Sequence, residues 1–227
     1  GGGIGAAGGN IEITGGIIYA SSSEGGSGVG KGKNGSDDGT NVTKTSGIIF
    51  EGNSGQVYGT SFTLAEDLTI PEGKILTIPE GTTLIVPENV TLTNNGTIAN
   101  NGTVDNDGTL TNAGALTNSG TIDNSGTATN TGTYSGNLIT GNGTATNFII
   151  DMTVTDEGVN TTYDGQEHYI TVNVSDPASG ATITYCETET GTYTSTNPTY
   201  TDVCMKTVYY KVTASGYSDY YGSATVT

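Results

Sequence analysis

The residues that could carry chemistry in this chain are mostly acidic. Asp105, Asp107 and Asp123 lie in a run of six-residue repeats, and Asp123 follows Asp105 by three repeats. Paired carboxylates are what a glycosidase requires, and a polysaccharide lyase would normally add a basic residue beside its acids. The repeat run at 95–136 contains no lysine or arginine. We therefore interpret these carboxylates as solvated or cation-bound, and we predict that the chain is not an enzyme.

A second acidic cluster lies in the loop NGSDDGTN at 34–41. Asp37 and Asp38 place oxygen ligands in a glycine-rich segment, which suits the irregular coordination of Ca²⁺. The loop does not match the twelve-residue EF-hand pattern, and a solvated polar insert would account for the same residues. Calcium is therefore the candidate ion, and no other cofactor is predicted.

The single histidine and the two cysteines provide little evidence for a catalytic or metal site. His168 lies in the polar stretch QEHY, and no nucleophile motif accompanies it to suggest a catalytic triad. Cys186 and Cys204 fall in neighbouring predicted strands, and an even cysteine count in an extracellular module permits one structural disulfide. Two thiols and a distant histidine are too few ligands for a zinc site.

The element that must position most of these groups is a six-residue repeat, present seven times over 95–136. Each copy has glycine at its second position, and two residues later a residue that we expect to point inward. These inward residues are Ile98, Val104, Leu110, Leu116, Ile122, Ala128 and Tyr134. A period of six fits a chain that coils through short strands and tight corners, with each coil stacked on the one before.

The other repeat positions carry their own expectations. We expect the glycines to supply the backbone freedom of the corners. The asparagines that close copies one to six are expected at corners in left-handed backbone, where their amides stack as ladders. With three copies per turn, the threonines that follow the glycines would form outward columns; they are Thr97, Thr103, Thr109, Thr121, Thr127 and Thr133.

Two looser repeats precede the hexapeptides. From Leu68 the period is eight, LTIPEGKI, LTIPEGTT and LIVPENVT, which indicates strand, proline-started turn and strand. Further upstream, NIEITGGIIYA at 10–20 is echoed by NVTKTSGIIFE at 41–51. Both repeats suggest more coils of the same kind, so the stretch from 1 to 147 is predicted to be one continuous β-solenoid.

The fold class predicted from these patterns is all-β, in two domains. Residues 1–147 should form a right-handed parallel β-helix, with glycine-rich rungs at 1–67, octapeptide rungs at 68–94 and hexapeptide rungs at 95–147. The hexapeptide period allows either hand, and the irregular earlier rungs favour the right-handed form. In 148–227 glycine thins out, tyrosine rises and short alternating strands appear, which is typical of a small Ig-like β-sandwich.

Composition narrows the choice of partners. The formal net charge is -17, with six lysines against 23 acidic residues, so nucleic acid and anionic membrane are excluded as expected partners. No apolar stretch is long enough to span a bilayer. The chain begins GGGIGAAGG, in the middle of a pattern, and we interpret it as a fragment whose other partners include further domains of a longer protein.

The C-terminal region resembles a known family. YDGQEHYITVNV at 163–174 and YTDVCMKTVYYKVTASGYSDYYGSATVT at 200–227 resemble the MBG-type Ig-like repeats of Gram-positive surface proteins. The octapeptides and hexapeptides look like the β-helical stalks beside such repeats, and the glycine-rich start is similar to β-helix repeats of clostridial surface proteins. Cys186 and Cys204 replace the small residues usual in that family.

The resemblance implies a function and a location. The chain would be a non-enzymatic structural and adhesion module of a bacterial cell-surface protein. It would be extracellular, and attached to the cell wall through parts outside this sequence. It would act as a stalk that projects or contributes a binding surface, and its partner would be a host or environmental glycan or a surface protein.

Two alternative functions remain open at this point. Some of the clostridial β-helix repeats are described as carbohydrate-binding, and calcium could assist the binding of an acidic polysaccharide. Tyr19 and Phe50, at equivalent places in the two N-terminal repeats, are the exposed-aromatic candidates for that ligand surface, with inner or edge packing as the competing role. Ice binding by outward threonine columns is the other alternative, but Gly-Thr repeats on all faces favour plain structural stacking.

Overall fold

The computed structural model describes residues 11–21, 29, 42–202 and 205–227. These residues form 23 strands, and the part of the chain described contains no helix; accordingly none is long and apolar enough to cross a membrane. The predicted all-β class is confirmed. The described residues form two compact units that divide between Phe148 and Ile149.

The first unit contains eighteen of the strands. They are β1 Ile11–Ile13, β2 Ile17–Ala20, β3 Val42–Lys44, β4 Gly47–Glu51, β5 Ser54–Tyr58, β6 Ser61–Thr63, β7 Leu68–Ile70, β8 Ile75–Ile78, β9 Thr83–Val86, β10 Thr91–Asn94, β11 Thr97–Asn100, β12 Thr103–Asn106, β13 Thr109–Asn112, β14 Ala115–Asn118, β15 Thr121–Asn124, β16 Thr127–Asn130, β17 Thr133–Gly136 and β18 Thr144–Thr146.

From β5 onward these strands form a parallel β-solenoid of about five turns. Its three sheets are sheet 1 (β18-β16-β13-β10-β7), sheet 2 (β17-β14-β11-β8-β5, extended by β4 and β2) and sheet 3 (β15-β12-β9-β6). Each strand from β5 to β14 pairs with the strand three places further along the chain, and β16 pairs with β18. Leu110 pairs with Leu92, its counterpart three repeats earlier, so three hexapeptides make one turn, as predicted. The direction of coiling stays a prediction.

The turn shortens where octapeptides give way to hexapeptides. Leu92 pairs with Leu68, and the separation between them along the chain is the length of three octapeptides. In the next two pairs, Ile98 with Leu76 and Val104 with Leu84, that separation falls by two positions each time. The coil thus keeps its inward positions in register while its corners become shorter one after another.

The octapeptide corners need positive φ. Residues 71–74 form a turn in which the Lys74 amide donates to the Pro71 carbonyl at 3.1 Å. The third residue of that turn, Gly73, has φ 76°, and the equivalent Gly81 and Asn89 have φ 75° and 64°. A type II turn requires φ > 0 at this position, and glycine and asparagine are the residues that accept it. The repeat Pro-Glu-Gly/Asn is therefore a turn signal with a direct conformational cause.

The hexapeptide glycines serve a different purpose from the one predicted. Their φ values are not positive. Instead, a Cβ atom on any of the seven would lie 2.0–2.3 Å from a carbonyl oxygen of the preceding turn. Stacked corners approach so closely that only a residue without a side chain fits. The glycine prediction is correct in place but wrong in its physical reason.

The inward positions of the hexapeptides form the core, as predicted. Six of the seven residues are buried, the exposed fraction of each being 2% or less: Ile98, Val104, Leu110, Leu116, Ile122 and Ala128. Tyr134, the last, is only partly buried. Its ring packs edge-on against Phe148, with centroids 5.0 Å apart, so two aromatic rings lie where the hexapeptide stack ends.

The asparagines that close the repeats form ladders inside this core. Asn94 Nδ2 donates to Asn112 Oδ1 at 2.7 Å, and Asn112 Nδ2 donates to Asn130 Oδ1 at 2.6 Å. The other ladders join Asn100 to Asn118 and Asn106 to Asn124. The ladder prediction is confirmed, but the left-handed backbone is wrong: Asn89 and Asn147 are the only non-glycine residues with positive φ among those described. Each ladder asparagine ends a strand and keeps the extended backbone that stacking requires.

The predicted continuous coil is interrupted near its start. β2 pairs with β4 in parallel, with Tyr19 opposite Phe50, as the sequence echo suggests. β4 then pairs with β5 in antiparallel orientation. The two strands are joined by Gly52 and Asn53 alone, with φ 63° at Gly52, and a two-residue connection permits only a hairpin. The N-terminal rungs therefore join sheet 2 through a reversal of strand direction.

The second unit contains β19 Thr153–Glu157, β20 Thr171–Asp176, β21 Thr182–Cys186, β22 Lys206–Thr213 and β23 Tyr220–Val226. β19 and β20 form one antiparallel sheet, and β21-β22-β23 form another, consistent with a small β-sandwich. Tyr210 lies fully buried between them. Its hydroxyl donates to Asp156 Oδ2 at 2.5 Å, which ties β22 to β19, and Gly222 opposite it leaves room for the ring.

Candidate functional site

The outer faces of the solenoid differ from one sheet to the next. In the hexapeptide strands β11 to β16 the second and fourth residues are buried, so the first and third residues point outward. Because three copies complete a turn, the third residue of every third copy falls in the same column. The three faces therefore carry different side chains although the repeats look alike.

Sheet 1 presents only threonine along two outward columns. One column contains Thr91, Thr109, Thr127 and Thr144, and the other contains Thr69, Thr93, Thr111, Thr129 and Thr146. We call these nine residues the threonine face. The threonines that follow the glycines do lie on all three faces, as expected. What distinguishes sheet 1 is the third residue of its four-residue strands, which is threonine in every copy on this sheet.

The other two faces are mixed. On sheet 2 the third-position column contains Ala99, Thr117 and Ser135. On sheet 3 it contains Asp105 and Asp123, which are direct register partners, so the predicted stacking of these carboxylates is confirmed. Burial, together with the negative charges of Asp107 and Asp123, raises the pKa of Asp105.

The predicted metal ligands, Asp37 and Asp38, lie in a part of the chain that the structure does not describe, so the calcium site at 34–41 stays a prediction. Within the described ranges, no group of three or more histidine, cysteine, aspartate or glutamate side chains could hold a metal ion.

The two N-terminal aromatic residues lie together but are not equally exposed. Tyr19 is 57% exposed, whereas Phe50 is 0% exposed. Their rings stack in parallel, with centroids 4.9 Å apart and 5° between planes, because strand pairing places them side by side. Phe50 is therefore wrong as an exposed candidate: it fills the space left by Gly55 across the hairpin. Tyr19 remains an outward aromatic ring supported from below by a second ring.

The remaining candidates lie in the second unit. Cys186 is recorded as a free thiol, and Cys204 lies outside the described residues, so their disulfide stays a prediction. His168 Nε2 lies 2.9 Å from Asp164 Oδ1, and the hydrogen bonds from the Gln166 amide and the His168 ring lower the pKa of Asp164. These two side chains line a cavity of about 60 Å³, which has room for about two water molecules.

Comparison with known proteins assigns no family to the chain. No family model, no curated protein and no solved structure matches it. The resemblance to MBG-type and clostridial surface repeats therefore stays a prediction. The β-solenoid itself is compatible with a structural or a binding module.

Proposed function

We propose that this chain is a non-enzymatic structural and adhesion module of a bacterial cell-surface protein, in which the solenoid serves as a stalk. The module is extracellular, and its partner is a glycan or a surface protein. Attachment to the cell wall lies in parts of the longer protein outside this sequence.

The observation that carries the stalk proposal is the way in which successive turns are joined. The hexapeptide strands β11 to β14 are each hydrogen-bonded through their backbones to the strands of the turns before and after them. Inside, the asparagine ladders add a side-chain bond between the same turns, for example from Asn112 Nδ2 to Asn130 Oδ1 at 2.6 Å. Buried amide bonds have no competing water, so they hold neighbouring turns together strongly. A rod built in this way resists separation of its turns.

Pulling on the two ends of the chain tests the stalk. We expect force peaks separated by multiples of about 6 nm, since a turn of three hexapeptides extends by about 3.4 Å per residue. Asn112→Val removes two ladder bonds and should lower these forces. Thr111→Val, on the adjacent outward position, should leave them unchanged. Extension without force peaks would contradict a mechanical role.

Antibody labelling tests the location. In cells that produce the natural full-length protein, an antibody against residues 95–136 should label intact cells, with a cytoplasmic protein as the negative control. Labelling that requires permeabilised cells would overturn the cell-surface proposal while leaving the mechanical one intact.

Carbohydrate binding is the second candidate function, and Tyr19 is the observation that favours it. An exposed aromatic ring offers a flat apolar surface on which a sugar ring can stack. Phe50 holds the Tyr19 ring in place at a centroid distance of 4.9 Å, so little side-chain entropy would be lost on binding. The proposed ligand is an acidic polysaccharide, with calcium bridging it to a chain of net charge -17.

A glycan array with and without Ca²⁺ separates the two functions. Binding that disappears in Tyr19→Ala and persists in Tyr163→Ala would support the carbohydrate site, because Tyr163 is equally an exposed tyrosine but lies in the other unit. Binding that depends on Ca²⁺ would support the calcium bridge. Equal loss in both variants would contradict a site at Tyr19.

A further inference from the structure

The threonine face is the most regular surface among the described residues. The column that begins at Thr69 crosses five adjacent strands, β7, β10, β13, β16 and β18, and the column that begins at Thr91 crosses the last four of them. The pairing is parallel and without a register shift, and Thr91, Thr109, Thr127 and Thr144 are direct partners from strand to strand. Parallel strands lie about 4.8 Å apart and alternate residues of a strand lie about 6.7 Å apart, so the face is a two-dimensional grid of identical side chains.

The hydroxyl groups of this grid are available to solvent. For none of the nine described threonines does the structure record a hydrogen bond made by the side chain. Each of these side chains is half-buried or exposed. No charged side chain interrupts the columns; Asp67 lies just before β7 and accepts from the Thr91 amide at 2.8 Å. The face is thus neutral on a strongly acidic chain.

The spacings of the grid are close to the spacings between water molecules in ice, which is a neutral, hydrogen-bonded solid. Tetrahedral water with O–H···O distances of about 2.75 Å has second neighbours at about 4.5 Å and, in hexagonal ice, an axial repeat of about 7.4 Å. The grid spacings of about 4.8 and about 6.7 Å differ from these by roughly a tenth or less. Rotation of the threonine hydroxyls can take up a difference of this size.

Rigidity is the second requirement, because a grid that fluctuates cannot hold ordered water. Behind sheet 1 the Asn94–Asn112–Asn130 ladder joins β10, β13 and β16 through buried amide bonds of 2.6–2.7 Å. Side-chain ladders of this kind are one of the devices that keep a sheet flat. The threonines are therefore held in position before any ligand arrives, and binding costs little ordering entropy.

We propose that the threonine face binds ice, with the threonine hydroxyls occupying positions of the water lattice and the methyl groups filling the spaces between them. The other two faces do not offer the same surface. Asp105 and Asp123 place charge on sheet 3, and ions are poorly accommodated in a neutral lattice. On sheet 2 the corresponding column contains three different residues, Ala99, Thr117 and Ser135. Hydroxyl and methyl groups therefore do not recur at regular positions on that face. This proposal is independent of the stalk function.

The experiment is retention of the whole chain by slowly growing ice, together with the difference between melting and freezing temperatures. Wild-type protein should be taken up into the ice and should open a gap between the two temperatures. Thr111→Lys, at the centre of the face, should abolish most of both effects. Thr117→Lys is the matched control: it makes the same change at the same repeat position on sheet 2, and should behave as wild type.

Three further measurements keep the outcome decisive. Thermal melts must show that both lysine variants are as stable as the wild type; if Thr111→Lys is not, Thr111→Val serves as a milder variant and should weaken uptake by loss of a hydroxyl. Exclusion of the wild type from ice would overturn the proposal, as would equal uptake of the two lysine variants. Sedimentation that shows a wild-type dimer and a Thr111→Lys monomer would mean that the face binds a second copy of the chain instead.

Discussion

The octapeptide and hexapeptide turns of the solenoid build one continuous core from different side chains. In β7, β8 and β9 both inward positions are aliphatic, as in Leu68 and Ile70. In the turns that follow, the first inward position stays aliphatic and the second becomes asparagine, so that Asn94 stacks directly on Ile70. The first six hexapeptide copies have no corner residue with positive φ, and their corners approach one another closely instead.

This difference shows that a polar core depends on repetition. An inward asparagine is satisfied when the turns on both sides supply the same residue, since each amide then donates to one neighbour and accepts from the other. At the boundary the arrangement fails: Oδ1 of Asn94, Asn100 and Asn106 is buried without a partner. Such an atom costs about 1–3 kcal/mol. These three atoms face the octapeptide turn, whose Ile70, Ile78 and Val86 have nothing to donate.

The largest expected effect concerns what both kinds of turn share, the alternation of inward and outward residues. Leu110→Asp places a carboxylate in the core, where the hexapeptides supply no basic partner, and should lower the free energy of unfolding by several kcal/mol. The control is Thr111→Asp, one residue further along and outward, which should cost under about 1 kcal/mol. Thermal melts measure both. Equal tolerance at the two positions would contradict the inward and outward assignment.

The next effect distinguishes the two uses of glycine. Gly120→Ala brings a Cβ to 2.0 Å from the Gly102 carbonyl oxygen, so two stacked corners must move apart, at about 2–3 kcal/mol. Gly73→Ala meets no atom within 4 Å and should cost only the left-handed backbone penalty of about 1–2 kcal/mol.

Substitution by asparagine tests the same distinction between the two kinds of corner glycine. Gly73→Asn should be tolerated, because Asn89 already occupies the equivalent octapeptide corner with φ 64°, whereas Gly120→Asn should be as damaging as alanine. Denaturant midpoints of the four glycine variants provide the comparison. A larger loss at position 73 than at position 120 would reverse our interpretation of the two corners.

A third, smaller effect tests the ladder at its middle and its end. Asn112→Val removes one of the two acceptors of the Asn94 amide and leaves Asn130 Oδ1 without its donor, and should cost about 2 kcal/mol. Asn94→Val also removes the donor to Asn112 Oδ1, but it removes the unpartnered Asn94 Oδ1 at the same time, so the number of buried oxygens without a partner does not rise. It extends the aliphatic stack over Ile70, so it should cost clearly less. Chemical denaturation of the two variants measures the difference; equal losses would mean that the ladder bonds add nothing beyond packing.

The smallest effect is electrostatic. Asp105 lies where the octapeptide turn has Ile85, and burial, with repulsion from Asp107 and Asp123, raises its pKa. A carboxyl with a raised folded-state pKa destabilises the fold when ionised, and this penalty disappears as the pH falls below its ordinary value of 3.8. Asp105→Asn should therefore raise the melting temperature at neutral pH and change it little near pH 3.8. An equal gain at both pH values would exclude ionisation as the cause.

Much of the solenoid could be predicted because its contacts are between copies of the same short motif. The six-residue spacing of Ile98, Val104 and Leu110 specifies the inward positions, and the pairing of Leu110 with Leu92 and Ala128 gives the three-copy turn. The hairpin at Gly52 could not be predicted, because the similarity between 10–20 and 41–51 indicates only that these two segments stack in parallel. It gives no information about the strand that follows. The burial of Phe50 was missed for a related reason: it depends on Gly55 lying opposite, in a strand outside the repeat.

The sequence by itself determined the all-β class, the inward aliphatic positions and the stacking of asparagines, because each follows from a period that is visible along the chain. Only the tertiary structure decided which outward residues share a face. Thr93, Thr111 and Thr129 are separated by three repeats each, and they become neighbours only when the length of a turn is known. Tertiary structure also decided why glycine is required at the corners, since the carbonyl that excludes a side chain belongs to the preceding turn.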